Sequence, residues 1–133
     1  MLLVDTSVLI DYLRGLKNII TERFQYVLDN NIPFGINSLI YQEILQGVKT
    51  EKDFNTVKKY LDTQRFYSLR NNRESYAAAA RIYLKCRKRG ITITSTVDCL
   101  IAQTALENNL LLLHNDADFD RMQVIVGLKV FKL

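Results

Sequence analysis

The sequence has few of the residues that break or cross-link a chain: one proline, five glycines and two cysteines among 133 residues. Because proline and glycine are scarce, no segment has the composition of a flexible linker, and we predict a single domain over residues 1–133. Cys86 and Cys99 belong to no Cys-x-x-Cys pair and no Cys/His cluster, which excludes a zinc site built from them. Both are expected to be buried thiols in a reducing cytoplasm.

Long apolar runs and a secretion signal are also missing. The longest apolar runs are of the size of Leu110 to Leu113, far short of the roughly 20 residues that a membrane helix requires. Only three apolar residues separate Met1 from the acidic residue Asp5. The start of the chain therefore has neither the basic region nor the long apolar core of a signal peptide. We therefore expect a soluble cytoplasmic protein that does not associate with membranes.

Apolar patterns of two kinds alternate along the chain. Short apolar runs predict strands, and apolar residues three or four positions apart predict the helices between them. This alternation is typical of an α/β domain, a three-layer sandwich whose central, mostly parallel sheet is flanked by helices. The five predicted strands cover residues 2–4, 34–36, 65–69, 110–113 and 130–133. The predicted helices cover residues 7–14, 20–28, 39–48 and 54–61, a segment that starts at an Asn71–Glu74 capping box and ends before Gly90, and a segment from Thr96 onward.

Four acidic residues fall where such a sheet binds its ligands, beyond the carboxyl ends of the strands. Asp5 directly follows the first strand, and Asp116 follows the fourth. Asp98 lies on the apolar stripe of its helix, where an unpaired carboxylate is costly. Glu43 lies on the helix that follows the second strand. The topology therefore predicts that these acids meet at one edge of the sheet.

Each of these acids also has an ordinary structural alternative. Asp5 and Asp116 can cap the helix or turn that follows them. Asp98 can complete a capping box that begins at Ser95. Glu43 can lie on a solvated helical face. The case for a functional site rests on the four acids taken together.

A group of carboxylates at one place points to a divalent cation. Carboxylates that share a site must raise their pKa values, pair with basic residues or bind a cation. Hard oxygen ligands select Mg²⁺ or Mn²⁺. Such a site suits phosphodiester hydrolysis, because the metal polarises the phosphate and activates a water molecule. The sequence does not decide between one ion and two.

Four segments of the chain match a known family in order and spacing. They are Leu3-Val4-Asp5-Thr6-Ser7-Val8-Leu9-Ile10, then Glu43, then Val97-Asp98-Cys99-Leu100-Ile101-Ala102, and finally His114-Asn115-Asp116-Ala117-Asp118-Phe119. Together these segments, which span the chain, resemble PIN-domain nucleases, specifically the VapC-like toxins of toxin-antitoxin pairs. The resemblance implies a PIN-like fold over the whole chain.

The resemblance also implies one acidic site for Mg²⁺ or Mn²⁺, made of Asp5, Glu43, Asp98 and Asp116. Asp5 and Asp98 are its expected direct ligands, and Glu22 or Glu51 would replace Glu43 if the helices were shifted in the alignment. The auxiliary candidates are Asp118, Asn115, and Ser7 or Thr6. Their alternative role is helix capping and turn bonding.

What the resemblance implies about activity is endoribonuclease action on structured RNA, such as tRNA or rRNA, leaving 5′-phosphate and 3′-hydroxyl ends. It further implies a homodimer that a cognate small antitoxin protein holds inactive. The charge agrees with an RNA substrate: 18 Lys and Arg against 14 Asp and Glu give +4, and without the four candidate acids the remainder carries +8. Such a surface attracts phosphate backbones.

Two other local features, a basic cluster and a histidine, do not distinguish a nuclease from a non-catalytic protein. The basic cluster at Lys85, Arg87, Lys88 and Arg89 fits either RNA contact or a solvated helix end that complements the helix dipole. His114 is expected to be structural, since a metal-bound water needs no imidazole base.

Competing classes fail at particular positions. A haloacid-dehalogenase-like phosphatase needs Asp-x-Asp after the first strand, where this chain has Asp5-Thr6-Ser7. A receiver domain needs an acceptor Asp at the end of the third strand, which here ends in Leu69-Arg70. The alternative that remains is a non-catalytic RNA-binding or partner-binding module of the same fold.

Overall fold

The computed structural model describes residues 1–132 as a parallel sheet surrounded by helices. The strands are β1 (Leu2–Val4), β2 (Phe34–Ile36), β3 (Arg65–Phe66) and β4 (Leu111–Leu113). They lie in the order β3-β2-β1-β4, and all three pairings are parallel. The helices are α1 (Thr6–Leu13), α2 (Ile19–Asp29), α3 (Ser38–Gln46), α4 (Glu51–Leu61), α5 (Arg73–Lys88), α6 (Thr96–Glu107) and α7 (Ala117–Val126).

Two groups of helices enclose the sheet. From β1 to β3 the chain moves toward one edge through α1 to α4, and it then returns past β1 to β4 through α5 and α6. Because parallel crossovers are right-handed, this reversal puts the two groups on opposite faces. Accordingly α1 contacts α2 and α3, whereas α5, α6 and α7 contact one another. The predicted α/β architecture with a parallel sheet flanked by helices is confirmed.

The central strand β1 is buried on both faces, which explains its uninterrupted apolar sequence. Leu2, Leu3 and Val4 are each at most 1% exposed. A strand between two helical layers has no solvent face, so apolar residues do not alternate with polar ones. On one side of the sheet Phe24 of α2 fills the core, and on the other Phe119 of α7 does so; both are fully buried.

Within residues 1–132 the sheet has four strands, so the prediction of a fifth at residues 130–133 is wrong. Val130 makes only one isolated parallel bridge, to Leu112. This bridge consists of two hydrogen bonds, each 2.9 Å long. The Leu112 amide donates to the Lys129 carbonyl oxygen, and the Phe131 amide donates to the Leu112 carbonyl oxygen. β4 is only three residues long, so it offers few backbone groups with which residues 130–132 can pair. Leu133 lies outside the described residues.

Other differences from the prediction are local. The third strand ends at Phe66 and does not extend to Leu69. The Asn71–Glu74 capping box is absent: α5 starts after Asn72, whose φ is +49° and whose side chain caps nothing. In its place Ser75 Oγ accepts a bond from the Asn71 amide and donates to Glu107 Oε1. Helix α7 was predicted only as a turn or cap.

Two sequence expectations about the rest of the chain can be compared with the structure. Cys86 and Cys99 are free and buried, as expected, and burial raises the pKa of the Cys99 thiol to about 11. No helix within residues 1–132 combines the length and the apolar character that crossing a membrane requires.

Gly35 in β2 is required by a close approach to the neighbouring strand. A Cβ added there would lie 2.5 Å from the Arg65 carbonyl oxygen and 2.7 Å from Cε2 of Tyr67. We expect Gly35→Ala to lower the free energy of unfolding by about 1–3 kcal/mol, because the backbone of β3 has to move. Urea unfolding measures this change.

Gly47→Ala is the matched control, since a Cβ there meets nothing closer than the Ile44 carbonyl oxygen at 3.5 Å. Its free energy of unfolding should be unchanged or higher by up to about 1 kcal/mol. Equal effects of the two substitutions would contradict the packing explanation for Gly35.

Candidate metal centre

Parallel pairing of β1 with β4 brings the first and last candidate acids to the same edge of the sheet. Val4 is in register with Leu113, and the Asp5 amide donates to the Leu113 carbonyl oxygen at 2.9 Å. Asp5 and Asp116 therefore follow neighbouring strands in the same direction. Glu43 reaches this edge from α3, which begins just after β2, and Asp98 reaches it from the first turn of α6.

Asp5 is fixed by the helix that follows it. Its carboxylate caps α1 and accepts bonds from the Ser7 amide at 3.1 Å and from Ser7 Oγ at 2.6 Å. The side chain is 4% exposed, and this burial raises the pKa of Asp5 even though Ser7 stabilises the carboxylate. Ser7 Oγ in turn accepts a bond from the Asn115 amide at 3.0 Å. Ser7 thus joins the β1 loop to the β4 loop, and Asn115 contributes its backbone to this contact.

Glu43 is held in the same region by Thr6. The Thr6 hydroxyl donates to Glu43 Oε1 at 3.0 Å. Burial is the largest cause of the raised pKa values of Asp5 and Asp98, and repulsion from Glu43 adds to both. Within residues 1–132, neither Glu22 nor Glu51 acts on these two carboxyl groups in this way. Glu43 is the glutamate that the fold brings to the site.

Three carboxylates come closest together. Asp98, Asp116 and Asp118 each offer one oxygen atom, and these oxygens all lie within 4.8 Å of one another. Burial, followed by repulsion from Asp116, Asp5, Asp118 and Glu43 in decreasing order, raises the pKa of Asp98 to about 7. Asp98 thus joins Asp5 as an acid whose ionised form is disfavoured.

Asp118 differs from its neighbours because both of its oxygens are engaged. Oδ2 accepts bonds from the Thr94 amide at 3.2 Å and from Thr94 Oγ1 at 2.8 Å, and Oδ1 accepts one from Arg121 Nη1 at 2.6 Å. Burial opposes ionisation, but these hydrogen bonds outweigh it and hold the pKa of Asp118 below its usual range. Asp118 is thus a fixed anion beside Asp98.

The capping alternatives and the site turn out to be compatible. Asp5 caps α1, and Asp116 caps α7 by accepting a bond from the Asp118 amide at 2.9 Å. Ser95 caps α6 through the Val97 amide, but among the described contacts Asp98 does not complete a capping box. A carboxylate has two oxygens with several acceptor positions, so one oxygen can cap a helix while the other faces the site.

Sequence reasoning missed Thr94 and Arg121, and it left Thr6 only as an alternative to Ser7. The spacing of Asp118 and Arg121, three residues apart, would predict an ion pair on a helix. This spacing indicates an ion pair only if residues 117–126 are predicted to be a helix, and the sequence pattern predicts only a turn or cap there. Thr94 lies in an irregular segment before α6, where no periodicity indicates what it contacts.

The donor set fits a hard divalent cation. The cluster offers only carboxylate oxygens, and Cys99, the thiol nearest in sequence to Asp98, stays protonated because burial raises its pKa. Oxygen ligands select Mg²⁺, Mn²⁺ or Ca²⁺ over thiophilic metals. The repulsion that raises the pKa of Asp98 is relieved when a cation lies between the carboxylates.

Comparison with known proteins agrees with this fold. Residues 2–125 match the family described as the PIN domain. The VapC ribonuclease Mb1587 of Mycobacterium bovis and the ribonuclease VapC11 of Mycobacterium tuberculosis are each 29% identical to this chain over 130 residues, which are 97% of this chain and 96% of the relative. Since the family match covers nearly the whole chain, the protein belongs to the PIN domain family.

Solved structures share the fold at lower identity. VapBC2 from Rickettsia felis, bound to a promoter DNA fragment, superposes with a TM-score of 0.75 at 15% identity and covers 99% of this chain and 98% of that chain. DNA-bound VapBC from Salmonella typhimurium has a TM-score of 0.74 at 19% identity, with 98% and 96% covered. At these identities the likeness establishes the fold alone.

Removing the charge of Asp98 should stabilise the metal-free protein. The pKa of this carboxyl is about 7 in the folded state and 3.8 in an unperturbed chain. The folded state therefore binds the proton more tightly, and the stability that Asp98 contributes falls as the pH rises from about 4 to about 7. In EDTA at pH 8 we expect Asp98→Asn to raise the free energy of unfolding on the order of 1 kcal/mol. The gain should shrink at pH 5.

Added Mn²⁺ should reverse this order, because it stabilises the wild type by binding the folded state and Asp98→Asn lacks a ligand. Thermal unfolding in EDTA and in Mn²⁺ measures both effects. The matched control is Asp53→Asn, an exposed acid on α4. An Asp98→Asn protein that is less stable than wild type in EDTA at pH 8 would contradict the repulsion described here.

Proposed function

We propose that this protein is a metal-dependent endoribonuclease that hydrolyses RNA phosphodiester bonds. The observation that carries the proposal is the convergence of carboxylates from four separate segments. Burial, together with repulsion from these carboxylates, raises the pKa of Asp98 to about 7. Folding places this repulsion at one edge of the sheet, where a cation converts it into a binding site. The names of the two mycobacterial relatives include ribonuclease, which supports RNA as the substrate.

In this proposal Mg²⁺ or Mn²⁺ is held by Asp5, Asp98, Asp116 and Glu43. The bound cation supplies polarisation of the phosphate and a lower pKa for a coordinated water. The surrounding residues keep the ligands in position: Ser7 holds Asp5, and Thr6 holds Glu43. Asp118 acts as an auxiliary anion whose oxygens are occupied by Thr94 and Arg121.

We further propose that the protein is the toxin of a toxin-antitoxin pair, inhibited by a small antitoxin protein. Relatives bear the name VapC, and solved structures of the same fold are VapBC complexes, including VapBC-1 from nontypeable Haemophilus influenzae. Apolar side chains around the turn between α1 and α2 support a protein partner: Leu13, Leu16 and Ile19 are 44%, 51% and 66% exposed. The expected form is a homodimer that cleaves tRNA or rRNA in the cytoplasm.

A non-catalytic RNA-binding or partner-binding module remains the second candidate. The observation that favours it is that Asp5 and Asp116 cap helices and Asp118 pairs with Arg121, so three of the acids have structural roles. In such a module the carboxylates would need no metal, and the basic surface alone would bind RNA.

Cleavage of total RNA separates the two candidates. The purified protein should cut RNA in Mg²⁺ or Mn²⁺ and should be inactive in EDTA. We expect Asp5→Asn and Asp98→Asn to reduce the rate at least about a hundredfold, because each removes a proposed ligand. Gel electrophoresis and mapping of the 5′-phosphate ends measure this. Asp53→Asn, an exposed acid on α4, should cut as the wild type does.

Cleavage that persists in EDTA, or in both ligand variants, would refute the metal mechanism. RNA binding without cleavage under any of the metal conditions would instead establish the non-catalytic module.

Growth of a host cell tests the toxin proposal. Induced expression should arrest growth, and co-expression of the small gene upstream should restore it. Asp98→Asn should be harmless because it lacks cleavage activity. Colony counts after induction measure the effect, and immunoblotting confirms equal expression. Normal growth of cells that express active wild type without the partner would contradict the proposal.

A further inference from the structure

His114, the one histidine of the chain, has a buried donor atom without a partner. The residue is 6% exposed, and its ring lies 5.1 Å from that of Phe119. Its Nδ1 accepts a hydrogen bond from the Asp116 amide at 3.1 Å. Because Nδ1 is the acceptor, the proton of the neutral ring is on Nε2. Among residues 1–132, no atom accepts a hydrogen bond from Nε2.

His114 lines a cleft beside the acidic site. The cleft has a volume of about 400 Å³, and Arg23, His114, Asp116, Asp120 and Lys132 contribute to its walls. The nearest carboxylate oxygen, Asp120 Oδ1, lies 3.5 Å from Nε2, too far for a good N–H···O bond. Nε2 is closed to solvent in this conformation, and the Asp120 side chain, which is 63% exposed, would have to turn outward for a ligand to reach the donor.

The donors around this cleft select an acceptor with negative charge. Arg23 and Lys132 bring positive charge to the wall of the cleft, and within residues 1–132 Arg23 makes no ion pair. Donors of this kind, a fixed N–H and a guanidinium, are the usual partners of phosphate oxygens. A buried polar atom without a partner costs free energy, so a ligand that satisfies it gains affinity.

The cleft and the acidic site share a wall at Asp116. An RNA strand with one phosphate at the carboxylates would therefore have a neighbouring phosphate close to the cleft. We propose that the cleft binds a neighbouring, uncleaved phosphate of the RNA substrate through His114 Nε2–H and Arg23. The proposal rests on the proposed ribonuclease function, because it deepens the description of how that site holds its substrate.

Two substitutions of His114 separate its two nitrogen atoms. Asparagine places its amide near the former Nδ1 and loses the donor that reaches the cleft, whereas glutamine reaches the position of Nε2 and loses the contact to Asp116. We expect His114→Asn to bind RNA about tenfold more weakly and His114→Gln to bind more tightly than His114→Asn. If loss of the Asp116 contact were the cause of weaker binding, the order would be reversed.

Arg23→Gln tests the charged partner. Binding of a random-sequence RNA 12-mer by Asp98→Asn protein in Mg²⁺, followed by fluorescence anisotropy, avoids cleavage during the measurement. Adding Arg23→Gln should weaken binding and lower the salt slope of the affinity by about 0.7, since one phosphate contact is lost. The control is Lys59→Gln on α4, which leads to β3 at the opposite edge of the sheet. It should leave affinity and slope unchanged.

The single histidine also gives a direct signal. In ¹⁵N-labelled Asp98→Asn protein, the Nε2–H resonance should shift saturably as the RNA 12-mer is added, and it should shift less with Arg23→Gln present. Circular dichroism verifies that each variant is folded. An unchanged Nε2 resonance overturns the proposal. So does binding by His114→Asn and Arg23→Gln that is as tight as that by Lys59→Gln.

The outcomes distinguish this proposal from the function on which it rests. Metal-dependent cleavage with no effect of these substitutions on RNA affinity refutes the phosphate site alone. A protein that never cleaves RNA but loses affinity with His114→Asn and Arg23→Gln refutes the nuclease and retains the site.

Discussion

Repulsion between carboxylates at the carboxyl end of a parallel sheet is the constraint on which the rest of this protein depends. Asp98 experiences the charges of Asp116, Asp5, Asp118 and Glu43 in addition to its own burial. The apolar core and the paired strands supply the free energy that holds these groups together. Without a cation the ionised carboxylates therefore destabilise the fold, and the surrounding hydrogen bonds help to keep them in place.

The carboxylates at the site differ in whether a neighbouring side chain holds them, and this difference divides their roles. Ser7 and Thr6 in α1 orient Asp5 and Glu43, so the first turn of one helix positions acids from two segments. Asp118 is neutralised by Arg121 and bound by Thr94. Asp98 has no such partner among the described contacts and retains the full effect of its neighbours. The group thus combines Asp118, whose ionised form is stabilised, with Asp98, whose ionised form is disfavoured until a cation binds.

The sequence predicted the features that depend on local patterns and strand order. Strand β2 was located at its observed bounds, and the four candidate acids lie at the same sheet edge because parallel strands point their carboxyl ends in one direction. The prediction from the sequence was wrong or incomplete where contacts between distant segments determine the structure. Val130 makes one bridge because β4 is short, and the expected cap of α5 is replaced by Ser75, which is bound to Glu107 from another helix. The role of Thr94 could not be predicted, because its partner, Asp118, is 24 residues away in the sequence.

The pairing of β1 with β4 has a consequence for the synthesis of the protein. β1 ends at residue 4, and its partner β4 occupies residues 111–113, so this contact closes a loop that includes most of the chain. Such non-local pairings form late in folding, because the loop entropy has to be overcome first. On the ribosome the N-terminal part emerges first, so Asp5 is exposed before the segment that carries Asp116 and Asp118 has been synthesised. A nascent chain therefore lacks the complete carboxylate group until the segment that carries Asp116 and Asp118 has emerged from the ribosome.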